Sequence, residues 1–434
     1  PLEIAIIGGG IGGLSLLLGI LEHCSSHIIR PHLYESAQAF SEIGAGIGIG
    51  PNAAAAMSIV SPALHRTYLD LGTDAETVLV QGQKHSVWNE IRLGMDGRSK
   101  RLPLKAGDLI TTLLFQGYKK GVHRAKFLDG MIELLPGGDG RGFVSFRKKC
   151  TDIEFPSGGE RVKIHFADGT SSKADMVVGC DGVKSRVRQI LLTRLGDTEN
   201  ISSRFTGKYA YRGLVPMDRA VEALGPVARK AHMLWGYDGH FVLFPIDKGQ
   251  TLNVVAFKTK QDGLWNEAEW VLPATVEQAL EDYKEWPETV QNLVKELHKP
   301  DIWALFEHPP AKSYWDGEGK LCLLGDCAHA STPHQGAGAG MAIEDAAVLS
   351  TLLGKIKEPT PHALKAALAA YDAVRRPRSQ RLVTTSRDAA SLYQFQKEGI
   401  WDDKTRMTED IQTRYRWIWD FDLEAHFQEA LELM

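Results

Sequence analysis

No stretch of this chain approaches the ~20 consecutive apolar residues that a bilayer span needs. Its most apolar run, Ile4 to Ile20, is broken by glycines and has no basic leader, which also argues against a secretory signal. A dominant charge is missing too. The net charge is −4 over 434 residues, so there is no electrostatic case for nucleic acid. Cysteine is scarce and scattered: Cys24, Cys150, Cys180, Cys322 and Cys327. Cys322 and Cys327 have no His or Cys partners at zinc-finger spacing, so no metal site is expected. Five thiols in apolar contexts read as core thiols of a reducing, cytoplasmic compartment rather than disulfides. Internal repeats and low-complexity linkers are absent. The chain starts on Pro1 rather than Met, which reads as a trimmed or incomplete start. What remains is the composition of a globular enzyme, long enough for two or three domains.

The amino-terminal segment carries the first positive signal. Leu2 to Ile7 reads as a buried strand, and it runs into Gly8-x-Gly10-x-x-Gly13 and then an apolar helix, Leu14 to Leu21. In that context the glycines serve a tight turn, a close backbone approach to a pyrophosphate, and close helix–strand packing. Gly10 and Ile11 sit where the free N–H groups of the helix start would meet the phosphates. A second strand ends at Glu35, about 20 residues on, where an acid can accept both hydroxyls of an adenosine ribose. A dinucleotide is therefore the expected ligand.

Other elements follow from pattern. Gly44 to Gly50 is a second glycine-rich stretch, and it includes Gly46. Strands are expected at His85–Leu93 and Lys100–Pro103, and a helix from Arg124. Val144–Phe155 and Arg161–Phe166 read as hairpin strands. Met176 to Cys180 is a short buried strand ending in Asp181-Gly182. From Lys208 to Phe257 the chain alternates with period two, and Asp238-Gly239 marks a hairpin. Leu321 to Leu324 is another short buried strand, followed by Gly325-Asp326 and a glycine-rich loop that opens a helix at Gly338. The tail from Pro361 reads as helical with a break at Arg376-Pro377. This predicts an α/β protein: a Rossmann-type dinucleotide domain (1–80, 104–192 and 300–390) interleaved with an antiparallel-sheet domain (81–103 and 193–299). A helical segment, 391–434, follows as a cap or contact surface.

The loop Pro333-His334-Gln335-Gly336-Ala337-Gly338-Ala339-Gly340 exposes backbone N–H groups at a helix start, which favours developing negative charge. Asp326 is placed to bond a polyol chain. His329 follows that turn so closely that a local structural role is expected.

Together these features resemble the group A flavoprotein aromatic monooxygenases, of the para-hydroxybenzoate hydroxylase superfamily. The signatures are Gly8-x-Gly10-x-x-Gly13 with Glu35, then Cys180-Asp181-Gly182 with Lys184 to Arg188, then Gly325-Asp326 with Ala328-His329, and the likeness spans about residues 2–390. The resemblance implies FAD as cofactor, with NADH or NADPH as a transient reductant that lacks its own Rossmann unit, and O2 as co-substrate. It implies Glu35 on the adenosine ribose, Asp326 on the ribityl chain, Arg124 on the phosphate or ribityl region, and Asp181 at the pyrophosphate contacts. Gly46, Gly336, Gly338 and Ala339 are expected around the flavin. A homodimer is compatible with this reading.

Within the family the likeness is greatest to salicylate hydroxylases and fungal phenol-dearomatising hydroxylases. It is carried by Glu42 to Gly46, Pro51 to Ala53, Tyr209 to Leu214, Asn253 to Phe257, Trp303 to Leu305 and Pro333 to Gly340. The dearomatising enzymes hold a phenolate with a sheet arginine and a sheet tyrosine. Arg212 fits the arginine, but Phe244 stands at the tyrosine position, which favours salicylate or a close relative. The implied reaction is decarboxylative hydroxylation of salicylate to catechol through a flavin C4a-hydroperoxide. The alternatives are another hydroxybenzoate, a hydroxynicotinate, an orsellinic-type aldehyde, or an FAD-dependent oxidase. His334 is expected to activate or hydrogen-bond the phenol, Arg212 to pair its anion, and Pro333 to shape the loop under the flavin ring. Met233, Trp235 and Phe244 are the expected pocket walls.

Overall fold

The computed structural model describes residues 1–40, 46–117, 120–156 and 160–434. Gly44 and Ala45 of the second glycine stretch, and with them most of the Glu42 to Gly46 likeness, lie outside them. The strand Leu2–Ile7 is buried everywhere except around Glu3, as a strand covered on both faces must be. It sits centrally in a five-stranded sheet ordered Leu321–Leu323, Met176–Gly179, Leu2–Ile7, Ile29–Tyr34 and Val144–Ser145. All its pairings are parallel. The carboxyl ends of three strands therefore deliver Gly8, Cys180 and Gly325 to one edge, where ligands of open α/β sheets bind. The helices Ile11–His23 and Gly338–Gly354 pack together on this sheet so closely that a Cβ on Gly19 would lie 2.5 Å from Ser350 Oγ.

The middle of the chain forms a nine-stranded sheet. Its pairings are antiparallel except one: His232–Gly236 runs parallel to Gln83–Leu93. One face packs on the helices Val276–Asp282 and Glu288–Lys295, and there the Tyr209 and Tyr211 hydroxyls donate to Asp282 at 2.6 and 2.7 Å. The other face is turned to the dinucleotide half.

The structure departs from the sequence reading in several places. Lys100–Pro103 is a turn and an extended segment outside any ladder. Val144–Phe155 splits into Val144–Ser145 and Cys150–Glu154, which join different sheets. Leu109–Phe115 and Asp301–Glu307, placed from sequence on the dinucleotide side, pair with Gln83–Leu93 and Arg204–Pro216 in the large sheet. The expected break at Pro377 does not occur: one helix runs Pro361–Tyr393. Proline in a helix interior costs about 3 kcal/mol, but side chains on both sides of it are anchored in the core. Arg375 pairs with Glu344 at 2.7 Å and Asp345 at 2.8 Å, and Arg378 pairs with Glu344 at 2.8 Å.

The carboxy-terminal helices are part of the body. Trp419 packs on Trp88 and Phe115 of the large sheet, with ring centroids 4.7 and 5.1 Å apart. No helix among the described residues is long and apolar enough to cross a membrane. All five cysteines are free.

Candidate active site

The three glycine-bearing turns line a single cavity of about 400 Å³. Gly10, Ile11 and Gly12 contribute the first, Cys180 and Gly182 the second, Leu324, Gly325 and Asp326 the third. Gly8 shows why they meet. Its φ is +109°, and a Cβ there would lie 2.4 Å from the Cys180 carbonyl oxygen, so only glycine fits. Gly13 is equally constrained, since its Cβ would lie 2.0 Å from Gly8 O. A Cβ on Gly10, in contrast, would meet nothing within 4 Å. The helix after it begins at Ile11 with no side-chain cap, so its first N–H groups are available to an anion in the cavity.

Glu35 ends its strand beside this turn and is held in place. Its carboxylate accepts from the Gly9 and Ala37 N–H groups, each at 2.7 Å. Asp326 is exposed on the cavity wall at the start of the short helix Asp326–His329. Asp181 behaves differently from expectation. Its carboxylate turns away and caps the helix Arg186–Arg194, accepting from Ser185 Oγ and from the Arg186 N–H at 2.7 Å. The flanking backbone, not this side chain, meets the cavity. Arg124 lines it from the first turn of Arg124–Glu133, and Gly46 lines it from the strand paired with His123, the residue before that helix. The Gly46 N–H donates to Asn253 Oδ1 at 2.7 Å, which ties the dinucleotide half to the sheet. Gly336 adopts the left-handed conformation at φ 61°, and Gly338 and Ala339 open the next helix, again without a side-chain cap.

Buried polar contacts hold the third turn. Asp345 accepts from the Gly325 N–H at 3.1 Å and also binds His329 and Arg375, at 2.6 and 2.8 Å. His329 is thus structural, as its position suggested. Burial pushes the Asp345 carboxyl up, but His329 and Arg375 outweigh it and hold it at about 2. Arg188, fully buried, donates to the Cys327, Ala328, Asn200 and Pro309 carbonyls and so pins the third turn to the helix of the second.

The far end of the cavity is one face of the large sheet. Register places Arg212 beside Val255, Val255 beside Val242, and Val242 beside Met233. Alternate residues along the same strands add Ala210, Phe257 and Phe244, and the next strand adds Trp303 and Leu305. The Arg212 guanidinium lies over the Trp303 ring, 4.5 Å from its centroid. Met233 lines the cavity, but Trp235 does not. Both point to the same face, yet the Trp235 indole is fully buried beneath Tyr393, whose ring stacks on it at 4.8 Å. The long helix covers the sheet there.

Pro333 and His334 close the cavity from the loop side. His334 is 3% exposed, and its ring packs 4.8 Å from Phe257. Burial, with Lys208 nearby, holds it well below the ordinary histidine range, so it is neutral at physiological pH. Several wall residues escaped the sequence reading: Trp88, Asn89, Thr332 and Tyr415. Tyr415 comes from the carboxy-terminal helices and bonds the Tyr393 hydroxyl at 2.8 Å. Only composition hinted at that region, through its tryptophans.

The chamber thus has uncapped helix starts and the exposed Asp326 carboxylate at one end, and a cationic, aromatic-walled compartment at the other. Residues 144–386 match the FAD binding domain family. The chain is 39% identical to a 6-methylsalicylate 1-monooxygenase of Aspergillus terreus (strain NIH 2624 / FGSC A1156), over 99% of this chain and 92% of the relative. It is 35% identical to a salicylate hydroxylase of Pseudomonas putida, over 99% and 94%. A solved salicylate hydroxylase substrate complex superposes with a TM-score of 0.83 at 32% identity, covering 99% of this chain and 98% of that one.

The chain belongs to the FAD-dependent aromatic monooxygenases.

This monooxygenase is of the salicylate hydroxylase type. Its residues fit FAD. The open space at Gly10, the uncapped helix starts at Ile11 and Gly338, and the exposed Asp326 carboxylate supply the contacts that a pyrophosphate, an isoalloxazine edge and a polyol chain require.

Proposed function

We propose that the monooxygenase converts salicylate, or a ring-substituted salicylate, to the corresponding catechol. One salicylate anion, one NAD(P)H, one O2 and two protons would give the catechol, CO2, water and NAD(P)⁺. Glu35 would hold the adenosine ribose, Asp326 the ribityl chain, and Arg124 a phosphate or the ribityl region. When bound, FAD supplies the two-electron activation of O2 as an electrophilic oxygen donor.

The chain's own task is to bind an electron-rich ring and keep it ionised. Arg212 pairs the carboxylate or phenolate from the sheet face. His334, neutral and buried, hydrogen-bonds the phenolic oxygen. Phe244, Phe257, Met233 and Trp303 hold the ring flat, and their apolar surfaces exclude water from the reacting carbon. The observation carrying this reading is that Arg212 and His334 share one aromatic-walled cavity. Among the described residues on that wall the sole carboxylate is Asp326, at the other end, so an anionic ring meets no repulsion. Phenylalanine at position 244 favours salicylate over the dearomatising substrates. A 6-methylsalicylate is the favoured variant, given the 39% identical relative that bears that name.

Substrate-stimulated NAD(P)H oxidation over a panel of salicylates, other hydroxybenzoates, hydroxynicotinates and orsellinic-type aldehydes tests the proposal. Labelled CO2 must leave carboxyl-labelled salicylate in step with labelled oxygen entering the product. Salicylate turned over with its carboxylate retained would exclude the decarboxylative route. Oxygen consumed without incorporation would mark an oxidase.

A further inference from the structure

Neither ring nitrogen of His334 has a hydrogen-bond partner among the described residues, so its direct contacts do not fix which one carries the proton. A polar chain lies behind it. Asp238 Oδ1 accepts from the Gln396 amide at 2.7 Å, which turns the Gln396 carbonyl oxygen toward Lys208 Nζ at 2.8 Å. Lys208 also donates to Thr259 Oγ1 at 2.8 Å and to the Gln394 carbonyl oxygen. The Thr259 hydroxyl donates to that same oxygen at 2.6 Å. An ammonium only donates, so the Gln394 oxygen must face Lys208. Its amide nitrogen is left facing His240, at 3.1 Å from Nδ1.

His240 is fully buried, stacks on Phe257 at 4.4 Å, and is held far below the ordinary histidine range by burial, then by His334 and Lys208. A neutral imidazole has one donor and one acceptor. With Nδ1 accepting from Gln394, the proton of His240 must be on Nε2. Burial pushes Lys208 down to about 8, with Asp238 opposing, which keeps it mostly protonated at neutral pH. Two polar rings flank His240: His334 at 5.2 Å and Tyr393 at 5.4 Å between centroids. The Tyr393 hydroxyl is already engaged by Tyr415. His240 Nε2 makes no hydrogen bond among the described residues, and of the two rings beside it only His334 has its polar atoms wholly unpartnered.

We propose that Lys208 is a positioning residue for the substrate. Through Gln394 it fixes the His240 proton on Nε2, His240 donates to His334 when the ring is bound, and His334 thereby presents its own N–H to the ionised oxygen. This rests on the substrate reading above and sharpens it: His334 is a hydrogen-bond donor to the anion rather than the base that removes its proton. The opposite polarity would aim a lone pair at a phenolate. A donor to a charged acceptor makes roughly twice the contribution of a neutral pair.

The first arm of the test uses FAD-loaded, substrate-free protein carrying heavy-nitrogen histidine, with His240 assigned by His240→Asn. Ring-nitrogen shifts report the tautomer. The expected result is Nε2–H in the wild type and Nδ1–H in Gln394→Glu, because a carboxylate only accepts and must take its bond from His240. Lys208→Arg keeps the wild-type tautomer, whereas Lys208→Met mixes the two. An Nδ1–H wild type, or no change in Gln394→Glu, overturns the proposal. This arm needs no turnover, so it decides even if salicylate is the wrong ring.

The second arm follows salicylate binding and the phenolate absorbance of the bound ring. Gln394→Glu should weaken binding roughly tenfold, the worth of one such bond, and shift the bound ring's ionisation to higher pH, while FAD affinity stays put. A flipped tautomer with unchanged salicylate affinity and ionisation would show that His240 does not act through His334. If the wild type binds no hydroxybenzoate, the substrate reading fails and the tautomer result alone stands.

Discussion

Replacing Arg188 with Met should loosen the cofactor site from behind without touching its surface. The guanidinium is fully buried and makes hydrogen bonds to Asn200 O at 3.2 and 2.8 Å, Cys327 O at 3.1 Å, Ala328 O at 2.9 Å and Pro309 O at 2.7 Å. Each such bond with a charged donor contributes about 1.5–3 kcal/mol net. They do not add, because burying the cation has its own cost, visible as a downward push on its pKa. Arg188→Met strands several buried carbonyls without their donor, at roughly 1–3 kcal/mol each. That is a large part of the ~5–15 kcal/mol that holds a domain folded. FAD at about 100 times its Kd restores about 2.7 kcal/mol. Urea unfolding should therefore show a large drop in midpoint for the FAD-free variant, and at one fixed FAD concentration a drop at least as large, because the form that binds FAD more weakly gains less from it. FAD titration should also show weaker binding, because the Cys327–Ala328 turn carries Asp326. Arg188→Lys should fall between, since a point donor cannot reach all the carbonyls. An Arg188→Met protein within ~1 kcal/mol of wild type, the worth of one ordinary hydrogen bond, with unchanged FAD affinity would refute this account.

Arg212→Met should raise KM for an aromatic acid by roughly 10- to 100-fold, the worth of a charged hydrogen bond; steady-state kinetics with FAD saturation held constant check it. Asp345 has its folded pKa lowered to about 2 from an ordinary 3.8. Its contribution to stability is therefore complete above pH 3.8 and fades as pH falls toward 2; Asp345→Asn should flatten this part of an unfolding-against-pH curve. Gly46→Ala would set a methyl 2.7 Å from Phe244 and 2.9 Å from Asn253. Overpacking of this kind costs about 1–3 kcal/mol, and a displaced Phe244 should raise KM for the ring acid, measured beside FAD affinity to separate the two effects.

The dinucleotide half was legible because its geometry is local. Gly8 to Gly13 must turn sharply and pack closely within a few residues, and such constraints leave glycines at fixed offsets. Strands of the large sheet were legible where a turn signal separates them, as at Asp238-Gly239 between His232–Gly236 and Gly239–Ile246. Asp301–Glu307 is apolar at successive positions, Ile302 to Phe306, so alternation is lost and its sheet could not be assigned. Pro377 misled because a local penalty was set against distant ion pairs that no local pattern records. Met233 and Trp235 share one strand face, and what separates them is a helix more than a hundred residues away in sequence. The motif Cys180-Asp181-Gly182 marks Asp181 as a ligand, but the Asp181 side chain satisfies the nearer N–H groups at the start of the following helix.

Gly10 and Tyr415 line the same chamber although they stand near opposite ends of the chain. A nascent polypeptide can therefore form the first phosphate-binding turn early, yet it cannot enclose an aromatic guest until Tyr415 has left the ribosome. Shortened translation products would carry an unsealed reaction vessel.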